Sequence, residues 1–146
     1  DVRYLSYKDA PCPPEVSLRP GAPASCDLSG HQVVGASKWI GNVNGEYKWD
    51  LNDGLEEYVT ASYAYRSKAV GTVEDSAYAQ IPGYAVVNLS TGLRGDFHQG
   101  QWEVPLWLKN AFDKTYYTTL WSAGNGGYEG LLGSPRTLGV TGRYDF

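Results

Sequence analysis

From Lys38 to Leu51 the side chains alternate without a break in rhythm. Odd positions carry Trp39, Gly41, Val43, Gly45, Tyr47, Trp49 and Leu51, while even positions from Asn42 on carry Asn42, Asn44, Glu46, Lys48 and Asp50. A period of two belongs to an extended strand with two unlike faces; a helix, with its 3.6-residue turn, would scatter this pattern around its circumference. The same rhythm returns at the end of the chain, with Leu138, Val140, Gly142, Tyr144 and Phe146 against Thr137, Gly139, Thr141, Arg143 and Asp145. Between them, Tyr58 to Arg66 sets Val59, Ala61, Tyr63 and Tyr65 against Tyr58, Thr60, Ser62, Ala64 and Arg66. Tyr84 to Arg94 sets Ala85, Val87, Leu89, Thr91 and Leu93 against Asn88, Ser90, Gly92 and Arg94, and Trp102 to Phe112 sets Trp102, Val104, Leu106, Leu108 and Phe112 against Glu103, Pro105, Trp107, Lys109 and Ala111. A weaker sixth strand is expected from Val2 to about Lys8. The expected fold is all-β: an antiparallel up-and-down meander of about six strands.

The connections alternate in length. Asn52-Asp53-Gly54 and Gly95 to Gln101 read as short turns, whereas Asp9 to Ser37, Ser67 to Pro82 and Thr118 to Pro135 read as long loops. An antiparallel meander therefore has short turns at one end and long loops at the other. Pro105 lies inside a strand and lacks the N–H that a ladder needs, which predicts a bulge or local irregularity there. Cys12 and Cys26, the only cysteines, flank a Pro- and Ser-rich stretch of the first long loop. An even pair so placed fits a disulfide formed in an oxidising compartment, and two unpaired thiols are the other reading. A zinc site is disfavoured, because His31 is the only nearby histidine and a structural site needs four ligands.

Half-polar strands suit two settings. A soluble sandwich packs one face on a core and wets the other. An outer-membrane barrel turns the apolar face to lipid and the polar face to an aqueous or plugged lumen. Strand lengths near the ~9–11 residues of a tilted spanning strand favour the barrel. So do aromatic residues at strand ends: Trp49, Trp102, Tyr144 and Phe146 at one end, and Trp39, Tyr65, Tyr84, Phe112, Tyr116 and Tyr117 toward the other. Charge is sorted as well. Glu46, Lys48, Arg66, Arg94, Glu103, Lys109 and Arg143 all sit on the polar faces, and a cation on the lipid side at mid-bilayer costs roughly 2–4 kcal/mol.

Composition narrows the functions. A chain of 146 residues makes one domain, and its net charge of -4 lacks the basic footprint of nucleic-acid binding. No apolar run is long enough for a transmembrane helix, and no basic-then-apolar leader opens the sequence. Hydrophobic residues at 42% argue against disorder. Neither a Gly-x-Ser-x-Gly motif nor a Gly-rich phosphate loop is present, and nothing groups Ser, His and Asp, so catalysis is not expected. Glu56 and Glu57 read as a solvated, turn-proximal pair, and His31 and His98 as isolated surface residues.

The run Asn110-Ala111-Phe112-Asp113-Lys114-Thr115-Tyr116 resembles the Asn-Leu-Phe-Asp-Lys-x-Tyr signature on the penultimate strand of TonB-dependent outer-membrane receptors, with Ala111 replacing the usual Leu. Ser134-Pro135-Arg136 resembles that family's Pro-Arg before the last strand, and Phe146 resembles its terminal aromatic. Gly35-Ala36-Ser37-Lys38-Trp39 resembles an Ala-Pro-Lys-Trp strand start, with Ser37 in place of Pro, and the loop Asp9 to Ser37 resembles a frequently Cys-bearing extracellular loop. The resemblance spans essentially residues 1–146. It implies the C-terminal part of a transmembrane β-barrel of about twenty-two strands, with the plug domain and the N-terminal strands outside this sequence. Six strands alone would leave two unpaired edges in lipid.

The resemblance also implies the functional parts. The chain would sit in the bacterial outer membrane, and TonB and the plug would be engaged through segments not included here. The solute would be scarce: a ferric siderophore is the family's commonest substrate, while cobalamin, heme and an oligosaccharide stay open. No cofactor and no protein metal ligand are expected, since iron would arrive inside its chelator. Phe146 would be read by the outer-membrane insertion machinery, or would serve only as a girdle residue. Asp113 and the polar-face charges would line the lumen, mostly as salt bridges. The loop containing Trp121, Asn125, Tyr128 and Glu129 would close over substrate, or be a solvated loop. The rival from another class is a secreted β-sandwich carbohydrate-binding module with exposed Trp and Tyr as its sugar platform. A small barrel assembled from several chains is a third reading.

Overall fold

The computed structural model describes residues 2–52, 54–123 and 127–146. The protein is all-β; the described residues form one short α-helix, α1 (Pro14–Ser17), one 3-10 turn (Ala77–Ala79) and ten strands. The strands are β1 (Ile40–Asn52), β2 (Leu55–Arg66), β3 (Ala69–Val70), β4 (Gln80–Ile81), β5 (Tyr84–Phe97), β6 (Gly100–Lys109), β7 (Tyr117–Ser122), β8 (Tyr128–Leu132), β9 (Thr137–Val140) and β10 (Arg143–Asp145). The chain divides into two compact units, each drawn from three separate stretches.

The sheet unit comprises Gly41–Tyr65, Ala85–Lys114 and Ser134–Phe146. Its strands pair in the order β1-β2-β5-β6-β10, with β9 also paired to β6, and the ladder does not close on itself. This is the expected meander with one strand fewer, because the stretch from Val2 to Lys8 forms no strand and contributes only an isolated bridge from Arg3 to Gln32. That stretch has no consistent phase, so it offers a sheet no single face to bury. β5 and β6 run past the sequence boundaries into a tighter turn than expected, closed by His98 at φ 57°. β6 in turn stops at Lys109 rather than Phe112, because Asn110 takes φ 48° and leaves the extended region.

Pro105 does disturb the ladder, but on the facing strand. Pairing between β5 and β6 passes from Leu93↔Val104 through Gly92↔Pro105 to Thr91↔Leu106 without a shift. Opposite, the last strand splits into β9 and β10 around residues 141–142, and the register is the same on both sides: Leu106↔Val140 and Glu103↔Arg143. The Pro105 carbonyl still accepts a bond from Thr141 N (3.1 Å). Its own nitrogen cannot return one, so the ladder lapses there without an inserted residue.

The two faces of the sheet differ in burial most clearly along β2. The apolar row Val43, Tyr63, Leu89, Leu106 and Val140 is exposed, with Val43 at 68% and Val140 at 65%. On the opposite face of β2, Tyr58 is 4% exposed, and Thr60, Ser62, Ala64 and Arg66 are half-buried. Polar side chains lean on one another, and apolar ones face outward.

The loop unit comprises Asp1–Ile40, Arg66–Tyr84 and Thr115–Gly133. The connections read as long loops carry structure of their own: β3 pairs with β4, and β7 pairs with β8 as a hairpin. Ala69, Ile81 and Leu120 form a small buried cluster. Gly71 is needed beside it, since a Cβ there would lie 2.7 Å from the Leu120 Cβ. Cys12 and Cys26 are joined by a disulfide, flanked by reciprocal backbone bonds between Ala10 and Cys26 (3.0 and 2.9 Å). Closing a loop of this length contributes about 3 kcal/mol in the chain-entropy model.

Candidate functional site

The polar face of the sheet holds a charge network built from three strands. Arg94 on β5 donates through Nε to Glu56 on β2, and through an Nη to Glu46 Oε1 on β1 (3.0 Å). Lys48 Nζ lies 3.2 Å from the other Glu56 oxygen. The Arg94 guanidinium also stands 5.0 Å over the Tyr58 ring, where the ring quadrupole favours a cation. Glu56, expected at a turn-proximal strand start, stands there as the second residue of β2 and receives both cations. Strand pairing brings residues 46, 56 and 94 together. Exposed ion pairs contribute under about 1 kcal/mol each. The network's main effect is therefore to match Glu46 and Glu56 with Arg94 and Lys48.

Toward the short-turn end this face opens into a cavity of ≈ 680 Å³, lined by Asp50, Asp96, Gln101, Glu103 and Asp145 besides the network itself. Further along, Trp107 lies flat over Gly139, where a Cβ would come 2.2 Å from the indole, and its Nε1 donates to Thr141 Oγ1 (3.1 Å). Lys109 Nζ stands 5.0 Å over the same ring. These groups offer fixed charges and hydrogen-bond partners to water or a solute. Among the described residues, no set of three or more His, Cys, Asp or Glu side chains is grouped to hold a metal.

The Asn110 to Tyr116 motif is a clamp. Asn110 is 3% exposed, and its side chain bonds three times: Nδ2 donates to the carbonyls of Lys114 (2.9 Å) and Ser134 (3.0 Å), and Oδ1 accepts from Lys114 N (2.9 Å). Its backbone N–H donates to Asn88 Oδ1 (3.0 Å), while Asn88 Nδ2 donates to Ser62 Oγ (3.1 Å). Asp113, at φ 51°, accepts from Arg136 N (2.9 Å). It therefore pins the Ser134-Pro135-Arg136 segment from within a turn, off the sheet face on which it was expected to line a lumen. Together Asn110 and Asp113 tie the end of β6 to the start of β9. Within the loop unit, Tyr116 stacks on Tyr84 (4.2 Å between centroids) and rests against Gly133. Phe112 and Phe146 are exposed, and Phe146 stacks loosely on Tyr144 at 6.3 Å.

Trp121, Tyr128 and Glu129, expected in a loop, stand on the β7–β8 hairpin; Asn125 lies outside the described residues. Trp121 is paired with Glu129 in register, and its Nε1 donates to Glu129 Oε2 (3.2 Å). Tyr128 stacks on Tyr78 at 6.5 Å.

Two contacts of the loop unit have no local signal in the sequence. Glu15 receives hydrogen bonds from Ser76 Oγ (3.0 Å) and Ala77 N (2.7 Å), across 61 residues of chain. Burial works against its charge, yet these bonds prevail and hold its carboxyl below the ordinary value. His31 Nδ1 lies 2.6 Å from Asp75 Oδ2, although His31 reads in sequence as isolated. Asp27 is held below the ordinary range by hydrogen bonds from the Ser29 side chain and backbone. No family model matches the chain, and no curated protein or solved structure matches it either.

Proposed function

We propose that the chain is the C-terminal barrel segment of a TonB-dependent outer-membrane receptor that imports a scarce solute, a ferric siderophore by preference. The observation that carries the reading is the sorting of the sheet's two faces: exposed Val43, Leu89, Leu106 and Val140 on one, and the charge network of Glu46, Lys48, Glu56 and Arg94 on the other. Water penalises such an arrangement, whereas hydrocarbon outside and a wet lumen inside favour it. β1, β2, β5 and β6, at 13, 12, 14 and 10 residues, are long enough to cross a bilayer at a tilt. The unpaired edges of the open ladder would be completed by further strands of the same barrel. The polar face would then line the lumen, and the motif clamp would hold the last strand in register.

The test uses single cysteines carrying an environment-sensitive dye, placed at Val43, Leu106 and Val140 or at Ser62 and Glu103, in the encoded protein reconstituted in lipid. Blue-shifted emission confined to the first set is expected. A protein that is monomeric and soluble without detergent, with no shift at either set, would instead favour the secreted carbohydrate-binding module.

A further inference from the structure

The chain carries net negative charge, yet one cavity of the loop unit reverses it locally. This cavity, of ≈ 590 Å³, is lined by Arg3, His31, Lys38, Trp39, Lys68 and Asp75, among others. Asp75 is the one carboxylate among the described lining residues, and both of its oxygens are engaged, Oδ2 with His31 and Oδ1 with Gln80 Nε2 (3.0 Å). The two lysines are held in place by their backbones. Residues 35–39 and 66–70 are laced together by bonds from Ser67 N to the Trp39 carbonyl (2.9 Å), Trp39 N to Ser67 Oγ (3.0 Å), Ser37 Oγ to the Ser67 carbonyl (3.0 Å) and Gly35 N to the Val70 carbonyl (2.8 Å). Arg66 adds a further tie, donating to Ser37 Oγ (2.7 Å). Lys38 and Lys68 therefore line the cavity from adjoining, braced segments, with the Trp39 indole, 66% exposed, beside them.

We propose that this cavity binds a multiply charged phosphate ester. Cationic donors on several chain segments suit a tetrahedral anion with oxygens in every direction better than a planar carboxylate. Trp39 offers a flat surface to the carrier, such as a sugar ring. The site does not depend on the barrel reading, because every group named belongs to the loop unit. The phosphate can come from a soluble ester or from a lipid headgroup.

The experiment titrates the encoded protein, in neutral detergent if it needs one, with inorganic pyrophosphate and separately with micelles doped with phosphatidic acid. Binding in either arm is expected, weakening as salt rises, and falling about tenfold or more in the double variant K38Q/K68Q. K38R/K68R is expected to retain most of it. Saturation by pyrophosphate assigns a soluble ester, and saturation by the doped micelles alone assigns a lipid headgroup; both support the proposal. Absence of binding in both arms, or equal binding by wild type and a folded K38Q/K68Q, overturns it. Failure of the membrane reading would be seen separately, as detergent-free solubility.

Discussion

The loop unit and the sheet unit differ in where their apolar side chains go. In the loop unit, Ala69, Ile81 and Leu120 are packed together, although Leu5 and Leu18 stay exposed. In the sheet unit the apolar row is exposed, and the charges of Glu46, Glu56 and Arg94 meet one another. The boundaries fall where the alternating strands give way to Pro-, Gly- and Cys-bearing connections. The loop unit supplies its own small apolar core, whereas the sheet's apolar row stays exposed.

The contrast can be broken most forcefully at Leu106. A lysine there, in lipid, is expected to cost roughly 2–4 kcal/mol, whereas the same change at Ser62 on the opposite face costs far less. Denaturant titration in lipid vesicles measures both; equal small costs would mean that the apolar face does not meet hydrocarbon. The disulfide probes the other unit. Replacing Cys12 and Cys26 by serine is expected to destabilise it by about 3 kcal/mol. Proteolysis should then begin between those positions while the β1–β6 strands stay protected, and simultaneous loss of both would show that the units fold as one.

A smaller effect, roughly 1–3 kcal/mol, is expected for Asn110→Ala, which leaves buried partners at Lys114 and Ser134 without bonds. Asn110→Gly relieves the positive φ without restoring those bonds, so it should remain destabilised if hydrogen bonding is what matters. The smallest effect is electrostatic. Because the Glu15 carboxyl titrates below its ordinary value of 4.5, its contribution is present above that pH and fades as pH falls through the lowered value. Glu15→Gln should flatten this acid limb in a thermal-melt series against pH, and an unchanged limb would remove Glu15 from the account.

Much of the sheet was legible in the residues. Val43 to Leu51 and Leu138 to Phe146 announce strands through alternation alone, and Pro105 announces a broken ladder. The place of the break was not legible, because it depends on which carbonyl and nitrogen stand opposite Pro105. The motif at Asn110 was visible as a resemblance, but its action as a clamp was not, since Ser134 and Asn88 reach it from elsewhere in the chain. Trp121 and Glu129 looked like loop residues because Gly-rich surroundings hide a short hairpin. The pairing of Glu15 with Ser76, and of His31 with Asp75, had no sequence signature at all.

By itself, then, the amino-acid order determined that there are strands and that each has an apolar and a polar side. It also supplied the two cysteines that could be joined. A period of two is unchanged when a strand is turned over, so it is silent about which side meets water. The meeting of Glu56 with Arg94, and the placing of Lys38 and Lys68 on one cavity, came about only when distant segments paired. Charge and burial are properties of the surroundings, and the surroundings exist only once the chain has folded.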